Sequence, residues 1–117
     1  MGVLLDGLRE WGCDVDGALA RFLDDEGLYI SCLHAVLEDK AFAGLGEALN
    51  AHAVKEAFDH AHTLKGVLAN MGLTPMYDLT VEIVEPLRAG DDTGLMPAYE
   101  ELLTARERLA GLLGEQA

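Results

Sequence analysis

The chain has 117 residues and a formal net charge of −13, from 21 acidic and 8 basic residues; half of it is apolar and only 6% aromatic. That length can bury a core without disulfides or metal. The charge excludes a generic nucleic-acid binder, which needs a basic footprint, and attraction to an anionic membrane surface. Ala and Leu outnumber the β-branched residues, so helix is favoured over sheet.

The opening, "MGVLLDGLRE", has neither a basic n-region nor a long apolar h-region, so it does not read as a signal peptide. Gly2 is not a myristoylation site on this reading, because Asp6 stands where Ser or Thr is needed. "VLLDGLREW" is expected to form one or two helical turns. "DVDGALARFLDD" follows with Asp14 or Asp16 as N-cap and Val15, Leu19, Phe22 and Leu23 at helical spacing. "EGLYISCLHAVLEDK" puts Tyr29, Leu33, Val36 and Leu37 on one face, and "FAGLGEALN" starts a new helix near Ala43 with Phe42, Leu45 and Leu49. Cys13 and Cys32 are the only cysteines and lack zinc spacing, so reduced structural thiols are expected.

The longest pattern runs from about Val54 to Met71, with Gly72 as its C-terminal stop. "TPMYDLTVEIVEPLRAG" then opens with Thr74 as N-cap and Pro75 at the first helical position, and Met76, Leu79 and Ile83 form its stripe. Pro86 is expected to kink or end that helix. "GDDTG" is a loop, and "LMPAYEELLTARERLAGLL" closes the chain with Tyr99, Leu102, Leu103, Arg106 and Leu109 in register. Arg106 either joins that stripe through its aliphatic stem or faces out at its edge. No apolar run approaches the ~18 residues of a membrane span. The pattern predicts an all-α fold: one domain over 1–117, an antiparallel four-helix bundle with additional short N-terminal helices.

On a wheel of residues 54–73, Val54, Ala57, Ala61, Leu64, Leu68 and Met71 share the core arc. His60 falls at its edge and His62 well outside it. Two residues turn a helix by ~200°, so the two histidines cannot chelate one metal. His60 reads as a flanking, half-buried residue. His62 has Lys65 at i+3, Gly66 at i+4, Asp59 at i−3 and Phe58 at i−4. A mid-helix glycine costs ~1 kcal/mol relative to Ala. Its return here is open approach to the imidazole, with the Lys65 ammonium in reach of an anion on that ring. Neutral imidazole is a nucleophile at cellular pH, and phosphoryl transfer depends mainly on positioning and on charge neutralisation. A solvated helix face is the plainer reading of the same residues.

"AHTLKGVLANMG", Ala61 to Gly72, resembles the signature of histidine phosphotransfer (HPt) domains, through Ala61, His62, Leu64, Lys65, Gly66, Asn70, Met71 and Gly72. "DVDGALARFLDDEGLYISCLHAVLED" and "VEPLRAGD" are similar to flanking segments of free-standing bacterial HPt proteins. The resemblance implies a motif helix at about 54–72 in a four-helix bundle. It implies that His62 accepts a phosphoryl group from a receiver-domain aspartyl phosphate and passes it to another response-regulator receiver. Lys65 would steady that group and Gly66 would leave room for it. The implied partners are receiver domains and a hybrid histidine kinase, with Mg²⁺ in the receiver and no intrinsic cofactor or metal. No kinase activity is expected, since no P-loop or kinase Gly-rich loop occurs. The protein would be cytoplasmic, monomeric and, given the initial Met and lack of linkers, free-standing.

Two of the three lysines, Lys55 and Lys65, lie on or beside the His62 face. The expected docking surface comprises Lys55, Phe58, Asp59, Ala69, Asn70 and Leu73, with Phe58 equally readable as core. Two other classes of function compete: a helical docking module that binds a receiver or kinase domain without accepting phosphate, and a small metal-binding bundle. The second would call for Glu-x-x-His pairs, which are absent. His34 and His52 are scattered and read as surface or core-edge residues.

Overall fold

The computed structural model describes residues 2–114, and all regular structure among them is helical. The helices are α1 (Gly2–Trp11), α2 (Val15–Arg21), α3 (Glu26–Leu37), α4 (Ala41–Asn50), α5 (Val54–Asn70), α6 (Thr74–Arg88) and α7 (Met96–Gly114). Helices α4 to α7 form the bundle. Short turns at 51–53 and 71–73 reverse the chain, so α5 lies between α4 and α6, and α7 packs on α6 and touches α4. Helices α1 and α3 lean on α7, which makes them additions to the bundle. No helix is long and apolar enough to cross a membrane among the described residues.

The core follows the 3.6-residue period. Ala57, Ala61, Leu64, Leu68 and Met71 are buried along α5, opposite Phe42, Leu45 and Leu49 of α4 and Met76, Ile83 and Val84 of α6. From α7, Tyr99, Leu102, Leu109 and Leu113 close it. Thr80 is buried in this apolar setting because its hydroxyl donates to the Met76 carbonyl one turn back, at 2.8 Å. The Tyr99 hydroxyl likewise donates to the Phe42 carbonyl, at 2.8 Å. Cys13 and Cys32 are free, and burial pushes the Cys13 thiol up to about 11.

Caps decide the N-terminal elements. Asp14 accepts from the Gly17 amide and Asp25 from the Leu28 amide, starting α2 and α3. Two groups from this region reach the end of α5. Arg21 donates to the Asn70 carbonyl at 2.9 Å, and the buried Tyr29 hydroxyl donates to the Met71 carbonyl at 2.9 Å. These carbonyls have no intrahelical partner, so α2 and α3 complete the last turn of α5.

Several local expectations are corrected. Helix α1 is ten residues long, not one or two turns, because Leu4, Leu5 and Leu8 are buried against the bundle. Helix α4 begins at Ala41, whose amide is met by the Asp39 carboxylate. Thr74 is the first residue of α6 rather than its cap, and Pro75 the second rather than the first; Leu73 holds the cap position, with no side-chain hydrogen bond. Pro86 lies in the last turn of α6 and has no N–H to give the Glu82 carbonyl one turn back; the helix ends two residues later, at Arg88. Arg106 takes neither simple option. Its guanidinium lies over the Phe42 ring, 5.4 Å from the centroid, and donates to the Leu37 carbonyl, while its Nε is buried without a partner.

Candidate functional site

Helix α5 presents one solvent face. Lys55, Asp59, His62, Thr63, Gly66, Ala69 and Asn70 are exposed, and Phe58 and Lys65 are half-buried at its margin. His60 turns the other way. A Cβ on Gly44 of α4 would come within 2.6 Å of its ring, so His60 packs against that glycine and is a structural residue. The two histidines thus separate as helical geometry demands.

Leu73 does not belong to this face. It is fully buried, because α5 ends at Asn70 and the chain turns at Gly72, so extending the α5 wheel to position 73 misplaced it. The other expected docking residues, Lys55, Phe58, Asp59, Ala69 and Asn70, do share the exposed side or its border.

His62 is not a free side chain. Its imidazole stacks on the Phe58 ring, with centroids 5.5 Å apart and planes 30° from parallel. The two residues are one helical turn apart, which places them side by side. Arg88, at the end of α6, holds its guanidinium over Phe58, 5.2 Å from the centroid. Among the described residues the one histidine that enters a hydrogen bond is His52, to Asp92 at 3.0 Å, so both ring nitrogens of His62 remain open.

The α5 wheel gives no hint of Arg88, which comes from another helix. Its only sequence signal was the "LRAGD" segment. With Lys55 it brings cations to a groove of about 560 Å³ whose apolar lining is Val54, Phe58 and Leu87. A smaller hollow at the other end of the face is lined by Ala69, Gly72 and Tyr77. No three His, Cys, Asp or Glu side chains among the described residues are placed to hold a metal ion.

Gly66 is the clearest departure from a plain helix. A Cβ built there meets nothing within 4 Å, so no contact inside this chain requires a glycine. Gly66→Ala is therefore expected to stabilise the isolated protein, by roughly 0.5–1 kcal/mol from helix propensity alone. Chemical denaturation checks this, and a lower midpoint would show an internal role for the glycine.

The Hpt domain family model matches residues 34–114, which span the end of α3 and all of α4 to α7. No curated protein and no solved structure gives a significant match. The chain belongs to the Hpt domain family. Hpt domains serve phosphotransfer in phosphorelays, as phosphocarriers rather than kinases, and interact with receiver domains.

Proposed function

We propose that this chain is a single-domain, cytoplasmic and monomeric phosphorelay intermediate whose phosphoacceptor is His62. The observation that carries the reading is an exposed imidazole with both nitrogens open, beside Lys65 and a glycine that nothing in the chain needs. In the forward step a His62 nitrogen lone pair attacks the phosphorus of a receiver aspartyl phosphate. The N–P bond forms as the P–O bond breaks, and the electron pair leaves with the aspartate carboxylate. The proton on the second ring nitrogen stays, so the ring becomes a phosphorylated imidazolium. Reversal toward a second receiver's aspartate completes the relay. A hybrid histidine kinase feeds the first receiver, and Mg²⁺ is held by the receiver.

With a net charge of −13, overall attraction to an acidic receiver pocket is absent. Lys55, Lys65 and Arg88 supply local cations, and Phe58 and Ala69 the apolar contact, with Asp59 and Asn70 at the rim. Gly66 lets the receiver's backbone approach.

The test is incubation with a phosphorylated receiver. Acid-labile, base-stable label mapped to His62 supports the carrier. Stable binding with no label supports the competing reading, a docking module.

Lys65→Ala separates chemistry from docking. The charge Lys65 meets exists only during and after transfer, so the rate should fall roughly 10- to 100-fold. Affinity for the unphosphorylated receiver should change little. Single-turnover transfer and titration check the pair, and equal losses in both would remove Lys65 from the transfer step.

A further inference from the structure

The exposed face of α5 contains one ordered contact to His62, and it is a ring stack rather than a hydrogen bond. Histidine orientation is more commonly fixed through one ring nitrogen. Such a bond would occupy or polarise an atom that a phosphoryl carrier can use. Stacking has a different consequence. The nucleophilic lone pair of an imidazole nitrogen lies in the plane of the ring. A partner against the ring's face holds that plane while both in-plane nitrogens stay clear.

The stack is itself supported. Phe58 is half-buried at the border with α6, and Arg88 lies over its ring. The phenyl ring therefore has a fixed plane, set by burial on one helix and by a cation from the next. His62 itself is exposed, and even a Cβ at Gly66 would meet nothing within 4 Å, the imidazole included, so that side of the helix is open. Phe58 was readable from sequence only as core or as docking rim. The geometry gives it a third role.

We propose that Phe58, braced by Arg88, is a positioning residue for His62: it fixes the imidazole plane so that a nitrogen lone pair points outward before a receiver arrives. This rests on His62 being the phosphoacceptor. Orientation contributes to rate when reacting atoms must meet in line, so losing the plane slows transfer without removing the nucleophile.

The test compares Phe58→Leu with Phe58→Tyr. Leucine keeps apolar bulk but has no ring face; tyrosine keeps the ring. Both variants are compared with wild type at equal folded fraction, set by circular dichroism. At saturating phosphorylated receiver, where any loss of docking contact is made up by concentration, F58L should transfer about ten-fold more slowly, while F58Y stays within about two-fold of wild type. NMR relaxation of the His62 ring carbons should show greater ring mobility in F58L alone. Wild-type transfer by F58L overturns the proposal. So does a change confined to the half-saturating receiver concentration, which would leave Phe58 its docking contact alone. A His62 ring as ordered in F58L as in wild type also overturns it. If wild type takes no label at all, the phosphoacceptor reading fails first, and the ring-order measurement still decides whether Phe58 orients His62.

Discussion

His62→Gln is expected to abolish phosphoryl labelling by a phosphorylated receiver, a loss of at least about a thousand-fold. Glutamine keeps polarity and approximate length but has no nitrogen lone pair in an aromatic plane, so no N–P bond can form. The substitution should leave the fold intact. His62 is exposed and its contact within the chain is the Phe58 stack. An aromatic pair of this kind contributes about 0.5–1.5 kcal/mol. Circular dichroism and receiver titration should therefore match wild type within that range, while phosphate transfer disappears. Labelling of H62Q at the wild-type rate would move the acceptor elsewhere, with the exposed His34 of α3 the next residue to map. His60 packs on Gly44, and His52, in the turn before α5, is paired with Asp92.

The second large effect concerns stability. Gly72→Ala should destabilise the protein by about 2–4 kcal/mol, from a left-handed backbone and a steric conflict acting together. Gly72 has φ +70°, and a Cβ there would lie 2.3 Å from the Asp14 carbonyl oxygen and 3.1 Å from the Ala18 Cβ. Backbone is a poor place for relief. The Gly72 carbonyl also accepts the Asp14 amide at 2.8 Å, so α2 cannot retreat without breaking that bond. A loss of this size is a large share of the ~5–15 kcal/mol expected for a domain. Urea denaturation is the measurement, and an unchanged midpoint would mean that α2 is not locked to the turn after α5. Set beside Gly66→Ala, the comparison is internal: the same change six positions apart should move stability in opposite directions.

Those two glycines show how far the sequence carries. Periodicity placed Ala57, Ala61, Leu64 and Leu68 inside and His62 outside, because a helix converts spacing into direction. Gly72 was legible as a stop, but not as the seat of α2, which is a tertiary contact between distant segments. Leu73 was misread for the same reason: a wheel is valid only while the helix lasts. Arg88 and Arg106 were beyond reach of any single-helix pattern. Each finds its aromatic partner, Phe58 or Phe42, on a neighbouring helix. Spacing alone left open the choice between a solvated face and a phosphoacceptor; the family resemblance favours the second, and the Hpt domain match over residues 34–114 fixes the family.

That match starts after α2 and most of α3, yet Arg21 and Tyr29 hold the terminal carbonyls of α5 at Asn70 and Met71. The segment that resembles other proteins and the segment that folds as a unit therefore have different borders. A fragment trimmed to the matched span would leave the helix that carries His62 with two orphaned acceptors and an uncovered Gly72. Any attempt to graft this module onto another protein has to take the first thirty-odd residues along.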